Sequence, residues 1–262
     1  MNTIELIAKQ CANSAAEAVN CFTMNGEKFT EELGEIVGLT KFGRGHKSRM
    51  RMLRALDANV RFVARDAAER FARGVSRDEL AQTSGSHFDK YLKGDGQSPV
   101  LVMSESLFQF ILENIDADNP MNPKNLSGNG VRPFAEDHMC PGTIVKKLIP
   151  FLLIDRILTE QQLATPGEGV RFVMERFVMA FITRGENDSL DAAGGLRTSM
   201  PDGQFHLTAR HESKGVILRA VNLDVAKKYG WNLLLNDITK HAEIMIRMIR
   251  GEACDSTRIF LN

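Results

Sequence analysis

The chain has 262 residues, 43% of them hydrophobic, and its 33 basic and 33 acidic residues give no formal net charge at neutral pH. This composition predicts one large or two small packed domains and argues against a disordered chain or a polycation of the ribosomal or histone kind, so a nucleic-acid surface would have to be local. The cysteines Cys11, Cys21, Cys140 and Cys254 form no C-x-x-C pair, and no charged-then-apolar leader precedes them, which predicts a reduced, cytoplasmic protein.

The first forty-five residues predict two helices. Apolar residues recur at helical spacing over residues 2–22, so we expect an amphipathic helix there. A second helix is expected to begin at the N-cap Thr30 and to end at the glycine-rich link Gly38–Gly45.

The run from His46 to Phe71 predicts one long helix whose charges are sorted. At 100° per residue, its apolar residues share one face, and five cations share a sector about 80° wide. The apolar residues are Leu53, Leu56, Val60, Val63, Ala64, Ala67 and Phe71. The cations are Lys47, Arg51, Arg54, Arg61 and Arg65. We expect the helix to end near Gly74 and Ser76 to cap the next one.

These cations suggest a surface that follows phosphates. Five of them lie along about 27 Å of helix, and each neutralised phosphate would release counterions. The local excess is larger still, because Lys41–Arg54 contains six Lys or Arg and no acidic residue. An alternative interpretation is a solvated helix face whose charges are met by Asp and Glu elsewhere.

Residues 76–94 have the order of a capped helix, a glycine turn and a second, basic helix. Ser76 is the expected N-cap, Leu80 and Ala81 lie in the first helix, Gly85 in the turn and Tyr91 in the second helix. This segment resembles the helix-turn-helix of phage and bacterial repressors. The resemblance implies DNA binding, with several residues at the major groove or its phosphates: Ser86, His87, Asp89, Lys90 and Lys93. An ordinary helical hairpin is the alternative.

A second placement of the same motif uses Phe29–Val37 as the supporting helix and the helix from His46 as the reading helix. Both placements put the binding surface in the first hundred residues.

The residue pattern of the sequence changes after Gly94. Pro99–Met103 predicts a short strand, and Ser104 is expected to cap a helix. Residues 116–142 contain four prolines and many Asn and Gly, which predicts a linker or a functional loop. The predicted domains are therefore residues 1–115, helical and nucleic-acid-binding, and residues 143–262, an α+β core or self-association region.

The second half predicts several apolar elements. Ile144–Leu158 is shorter than the ~20 residues that cross a bilayer, so we expect a buried helix kinked at Pro150 and no membrane partner. Another hydrophobic helix is expected over Gly169–Arg184, followed by a glycine-bearing loop over Arg184–Gly203.

Alternating residues after Gly203 predict a β-hairpin. Phe205–Ala209 and Val216–Ala220 would be its strands, and His211–Gly215 its turn. A final helix is expected over Asn236–Arg250. The predicted fold class is mainly α with a small β-hairpin or sheet, hence α+β, with a helix-turn-helix-like N-terminal part. One core is expected to contain Leu148, Phe151, Ile154, Phe177, Phe181, Met245 and Ile249.

Two weaker chemical cues remain. The spacing of Arg132 and His138 resembles that of small helical ribonucleases, in which the pair acts on phosphodiesters. His138, Cys140, His206 and His211 could supply metal ligands, but their spacing does not require that they converge. We therefore predict no catalytic residue, metal or cofactor.

The sequence as a whole favours a cytoplasmic nucleic-acid-binding protein, for DNA in preference to RNA, of the kind carried by phages and mobile elements. The expected binding residues are Lys47, Arg51, Arg54, Arg61, Arg65, Ser86, His87, Lys90 and Lys93. The second hypothesis is an assembly protein or homo-oligomer, whose apolar helices over Ile144–Phe181 contact other subunits. The third is a metal-independent ribonuclease.

Overall fold

A computed structural model describes most of the chain. The described residues are 2–23, 43–83, 100–115, 134–192, 195–204, 206–231, 238–252 and 255–262. They are mainly helical and contain one mixed four-stranded sheet, so the predicted α+β class is confirmed. Within these ranges, no helix combines the length and apolar character needed to cross a membrane.

The described elements are numbered in chain order. The helices are α1 (Thr3–Thr23), α2 (Gly43–Ala72), α3 (Arg77–Thr83), α4 (Glu105–Asn114), α5 (Gly142–Leu148), α6 (Glu160–Ala164), α7 (Glu168–Met174), α8 (Arg184–Asp191), α9 (Ala209–Glu212), α10 (Leu223–Lys228), α11 (Ile238–Gly251) and α12 (Ser256–Ile259). The strands are β1 (Val102–Ser104), β2 (Phe134–His138), β3 (Met179–Thr183) and β4 (Leu218–Ala220). A 3₁₀ turn, Ile149–Phe151, follows α5.

The chain forms two compact units whose segments alternate in sequence. Unit 1 comprises Met1–Cys11, Asp95–Pro141 and Arg176–Asn262, and unit 2 comprises Ala12–Gly94 and Gly142–Glu175.

Unit 2 contains the long basic helix. The helix predicted over His46–Phe71 is confirmed as α2, although it begins at Gly43, so the last three residues of the predicted link are helical. It is followed by Gly74, at φ +90°, and the Ser76 hydroxyl accepts a hydrogen bond from the Glu79 backbone N–H. The buried apolar residues of α2 are Leu53, Leu56, Val60, Ala64 and Ala67.

The core of unit 2 joins segments that lie far apart in the sequence. Ala67 and Leu80 pack with Phe151, and Ile154 lies against them. The predicted kink at Pro150 takes the form of the 3₁₀ turn after α5.

The sheet lies in unit 1, in the order β2-β3-β1-β4. β1 is parallel to β3 and antiparallel to β4, and β2 is antiparallel to β3. Since β3 is an inner strand, its first four residues are all buried, which is typical of a strand covered on both faces. The helix predicted over Gly169–Arg184 is therefore confirmed only as far as Met174, and it is wrong for residues 179–183, which form β3. Helix α7 ends at Met174. The sequence does not predict this end, because a continuous apolar run has no periodicity that separates a helix from a buried strand.

The predicted hairpin is also wrong. The residues His211–Gly215 end helix α9 instead of joining two strands: the Val216 N–H bonds to the His211 carbonyl and the Gly215 N–H to the Glu212 carbonyl. Gly215 adopts φ +70°, so this is the left-handed glycine cap of a helix. The second predicted strand is present as β4 and pairs with β1, whereas the described residues 206–209 of the first are not in a strand.

Two predicted loops contain regular structure. Residues 184–191 form α8, whose start is fixed by a capping box between Thr183 and Glu186. Within the loop predicted over 116–142, residues 134–138 form β2. The expected strand and the Ser104 cap are confirmed, since the Ser104 hydroxyl accepts from the Leu107 N–H.

The C-terminal helix is confirmed as α11, with Met245 and Ile249 buried. The single predicted core is divided. Phe151 and Ile154 belong to the unit 2 core, whereas Phe177, Phe181, Met245 and Ile249 are buried in unit 1.

Candidate functional site

The exposed side of α2 is the first candidate site, and we call it the α2 face: Arg54, Ala58, Arg61, Phe62 and Arg65. At 100° per residue, these five residues fall within a sector about 100° wide, which is one side of the helix. The Phe62 ring is 69% exposed, more than any other large hydrophobic side chain in the described ranges. The same side of the helix borders a concavity of about 430 Å³ that also touches Asp66 and Glu69.

The three arginines of the α2 face differ in their partners. Arg54 is exposed, and no acidic residue in the described part of the chain forms an ion pair with it. Arg61 is held by buried Asp57, with 2.7 Å between the guanidinium Nη2 and the carboxylate Oδ2. Arg65 contacts Glu160 at 3.2 Å, and both side chains are exposed. The alternative interpretation, that acidic residues meet these charges, therefore applies to Arg61 and Arg65.

The basic residues at the N-terminal end of α2 carry the same sign of charge as the positive end of the helix dipole. Its first turn contains no acidic residue, and Arg44, Lys47, Arg49 and Arg51 follow one another in its first nine residues. Cations near a helix N-terminus are unfavourable because the free N–H groups there attract negative charge, and the effect falls off within the first turn.

Several predicted binding residues cannot be placed. Lys47 and Arg51 lie on the α2 backbone, but their side chains are outside the described part of the structure. The following residues lie outside the described ranges altogether: Ser86, His87, Lys90 and Lys93. Of the predicted helix-turn-helix, the first helix is present as α3 with its Ser76 cap.

The second candidate site lies in unit 1, and we call it the Asp137 cluster: Asp137, His138, Arg210 and His211. Asp137 and His138 end strand β2, and Arg210 and His211 lie in α9. The Asp137 Oδ2 lies 3.1 Å from both the Arg210 Nη1 and the His211 Nε2. Arg210 also donates through Nη1 to the His138 backbone carbonyl, so α9 is fixed to the end of β2.

Charged groups in this cluster are buried. Arg210 is 1% exposed and His211 is fully buried, whereas Asp137 and His138 keep partial exposure. Removing an ion from water costs several kcal/mol even after relaxation, so such groups need partners. In the Asp137 cluster, several polar atoms of these groups have no hydrogen-bond partner among the described residues.

Unpaired polar atoms concentrate at this place. Eight buried side-chain nitrogen or oxygen atoms lack a hydrogen bond in the described part of the chain, and five belong to the Asp137 cluster: Asp137 Oδ2, His138 Nδ1, Arg210 Nε, and His211 Nδ1 and Nε2. The Asp137–His211 contact therefore has the distance of an ion pair without the alignment of a hydrogen bond. Two more unpaired atoms belong to Glu136 and His241, which approach each other to 3.9 Å.

Burial changes the acid–base properties of two groups beside this cluster. It lowers the pKa of His138, against the nearby carboxylates of Asp137 and Glu136, which raise it. Burial also raises the pKa of the Cys140 thiol, against the positive charges of Arg176 and Arg210. At neutral pH, these shifts favour a neutral imidazole and a protonated thiol.

The structure brings together part of what the sequence suggested. The His211 Nε2 lies beside the Asp137 carboxylate, and Asp137 is the chain neighbour of His138, whose ring lies against Phe177. His206 contacts Thr208 and Glu212 instead. In the described ranges, no group of three or more His, Cys, Asp and Glu side chains is arranged to hold a metal ion. Arg132 lies outside these ranges, and His138 lies on strand β2, where the small helical ribonucleases would present it on a helix.

Sequence reasoning missed Asp137 and Arg210. The predicted hairpin placed His211 in its turn and Arg210 between that turn and the first strand, where charged side chains are normally solvated. The adjacent pairs Asp137-His138 and Arg210-His211 were the available signal, but nothing in their spacing indicated that they meet.

Comparison of the chain with protein-family models, with curated proteins and with solved structures finds no match.

Proposed function

We propose that the protein binds nucleic acid through the α2 face. The observation that carries this proposal is the exposed Phe62 ring beside Arg54 and Arg65 on one continuous helix. An aromatic ring between cations offers a stacking surface for a base and charges for the adjacent phosphates.

The geometry fits a phosphate backbone. Arg54 and Arg65 are eleven residues apart, which is about 16 Å along a helix. Phosphates on one strand are separated by several ångströms, so this length covers a few nucleotides. The proposed preference for DNA rests on the repressor-like segment, whereas the α2 face itself offers contacts that DNA and RNA can both make.

The assembly hypothesis has less support in the described residues. Between Ile144 and Phe181, most large apolar side chains are buried. Ile157 is 37% exposed, and the half-buried ones are Ile144, Leu148, Leu153 and Ile154. An extended apolar stripe that could receive a partner is therefore missing from this stretch.

Fluorescence anisotropy with labelled single-stranded DNA, duplex DNA and RNA measures the affinity for each and tests the proposal. We expect Phe62→Ala to weaken binding by about 5- to 150-fold, since stacking on an aromatic ring contributes roughly 1–3 kcal/mol per base. Phe71→Ala is the matched control, because Phe71 is 42% exposed on the opposite side of the same helix.

Charge-reversal variants provide the second part of this binding experiment. Arg54→Glu should weaken binding, whereas Arg184→Glu, which makes the same change on the exposed start of α8, should not. Equal binding by wild type, Phe62→Ala and Arg54→Glu would contradict the proposal. An equal loss of binding in Arg54→Glu and Arg184→Glu would also contradict it, because binding would then depend on the overall charge and not on the α2 face.

A further inference from the structure

We propose that the α2 face binds single-stranded nucleic acid in preference to a duplex, with one unpaired base stacked on the Phe62 ring. This inference rests on the proposed function and names the class of nucleic acid that the same site takes. It differs from what the repressor-like segment implies, because a helix-turn-helix reads the major groove of a duplex.

The exposed Phe62 ring is the observation that indicates an unpaired base. The ring is 69% exposed on a continuous helix, and it borders the concavity on this side of α2. Every nucleobase has a flat face that can stack on an aromatic ring. In a duplex, both faces of a base are covered by the adjacent base pairs. A base can therefore stack on Phe62 only when it is unpaired and unstacked, as in a single strand.

The charges of α2 are distributed unequally around this ring. At 100° per residue, the three arginines of the α2 face lie about 60° to 100° to one side of Phe62. Asp66 lies about 40° to the other side, where its carboxylate contacts the Arg70 guanidinium at 3.5 Å. Arg54, which has no ion-pair partner in the described part of the chain, is therefore on the side away from Asp66.

This one-sided arrangement fits one row of phosphates. The major groove of a duplex is about 12 Å wide and has a row of phosphates along each edge, so a helix in the groove faces phosphates on both flanks. The Asp66 carboxylate would then face the second row and repel it. A single strand has one row, which can follow the arginines while a base attached to it reaches Phe62.

The ion pairs of Arg65 and Arg61 are compatible with such a strand. Arg65 contacts Glu160 at 3.2 Å, and the Glu160 side chain is 65% exposed. Exposed ion pairs contribute little net stability, so a phosphate can replace Glu160 at low cost. Arg61 is instead held by the buried carboxylate of Asp57, which fixes its guanidinium on the same side of the ring.

Charge alone would give the opposite preference. Duplex DNA carries one negative charge per about 1.7 Å of its axis, twice the density of one of its strands. Cations that act without the ring should therefore bind a duplex at least as tightly as a single strand. A preference for the single strand would thus report on the ring.

The test measures fluorescence anisotropy of the full chain with three labelled probes of one sequence: single-stranded DNA, single-stranded RNA and duplex DNA. A length of about 15 nucleotides covers the usual site of a single-strand-binding surface. We expect the wild type to bind both single strands more tightly than the duplex. Phe62→Ala should weaken single-strand binding by about 5- to 150-fold and duplex binding by less than about 2-fold.

Two further variants separate stacking from apolar contact. Phe62→Trp keeps an aromatic ring and should retain single-strand binding. Phe62→Leu keeps an apolar side chain without a ring, so it should lose single-strand binding as Phe62→Ala does. Full affinity of Phe62→Leu for the single strands would overturn the proposal.

The outcomes distinguish this inference from the proposed function. A duplex bound as tightly as the single strands, or an equal loss for all three probes in Phe62→Ala, would overturn the preference for single strands while the α2 face remained a binding site. Binding of every probe that neither Phe62→Ala nor Arg54→Glu changes would contradict the proposed function as well. So would the absence of binding to all three probes.

Discussion

The buried carboxylate of Asp57 shows how one residue connects distant parts of unit 2. Asp57 is 1% exposed, and its Oδ1 accepts hydrogen bonds from the backbone N–H groups of Gly169 and Val170. Its Oδ2 contacts Arg61. Helices α2 and α7 approach closely at this point, because residue 169 has no side chain.

Gly169→Ala should therefore destabilise the protein by about 1–3 kcal/mol, the usual cost of overpacking. An added Cβ would lie 3.0 Å from the Asp57 Oδ1 and 3.0 Å from the Val60 Cβ, and neither neighbour is free to move. Urea unfolding measures the effect. Gly185→Ala is the control, since no atom lies within 4 Å of its new Cβ. Equal stability of the two variants would contradict the close approach.

The pKa of His138 makes stability depend on pH. Because the folded-state pKa is below the ordinary value of 6.5, the unfolded chain binds more protons just below pH 6.5. The contribution of His138 is thus fully present above pH 6.5 and is lost as the pH falls through the folded-state pKa. We expect the free energy of unfolding of the wild type to decrease more steeply than that of His138→Gln below pH 6.5. Parallel pH dependence would contradict the burial of this imidazole.

At the residue scale, the sequence predicted features that depend on near neighbours. The Ser76 and Ser104 caps are confirmed, because a cap is decided within four residues. The partner of Asp57 lies 112 residues away, and Asp137 meets Arg210 after 73 residues. Local pattern contains no information about such pairs.

Helices α4 and α8 are joined through their caps. The Ser104 hydroxyl accepts from Leu107 in α4 and donates to Glu186 Oε2 at 2.7 Å. Glu186 Oε2 also accepts from the Thr183 N–H and hydroxyl at the start of α8. One carboxylate oxygen therefore connects two helix starts.

This link predicts energetic coupling between Ser104 and Glu186. Ser104→Ala and Glu186→Gln should each cost about 0.5–2 kcal/mol, the usual range for a lost cap. The double variant should cost less than the sum, by about 0.5 kcal/mol or more, because the two residues share one interaction. Urea unfolding of the four proteins measures this, and strict additivity would contradict the shared contact.

At the scale of elements, the errors have physical causes. The sequence of β3 predicts a helix, because a strand covered on both faces has apolar residues at every position and therefore shows no alternation. The segment His211–Gly215, which predicts a hairpin turn, is the end of a helix. Both structures use a glycine at positive φ, here Gly215, so the sequence does not distinguish them. The capping box Thr183-x-x-Glu186 did carry a usable signal for α8.

The two units take their partners from separate stretches of the chain. Ala67 and Leu80 pack with Phe151, and β1 pairs with β3 and β4. Two of the four points where the chain passes from one unit to the other coincide with changes in the sequence, after Gly94 and at the end of the stretch 116–142. Nothing in the composition, however, indicated that the segments of the two units alternate.

A fragment of residues 1–115, one of the two predicted domains, should therefore not fold alone. It keeps α2 and β1 but lacks Phe151, β3 and β4, which cover them. We expect circular dichroism to show no cooperative urea transition for the fragment under conditions where the full chain unfolds cooperatively. A cooperative transition would support an independent domain with that boundary.

The central claim is that the cations of α2 bind phosphates, and the salt dependence of binding tests it most directly. The measurement is the slope of log K against log salt concentration for single-stranded nucleic acid, with the wild type and Arg54→Glu. We expect a negative slope in the wild type and a slope smaller in magnitude by about 1 in the variant, because one phosphate contact is lost. The same slope in both proteins, or binding that does not depend on salt, would contradict the claim.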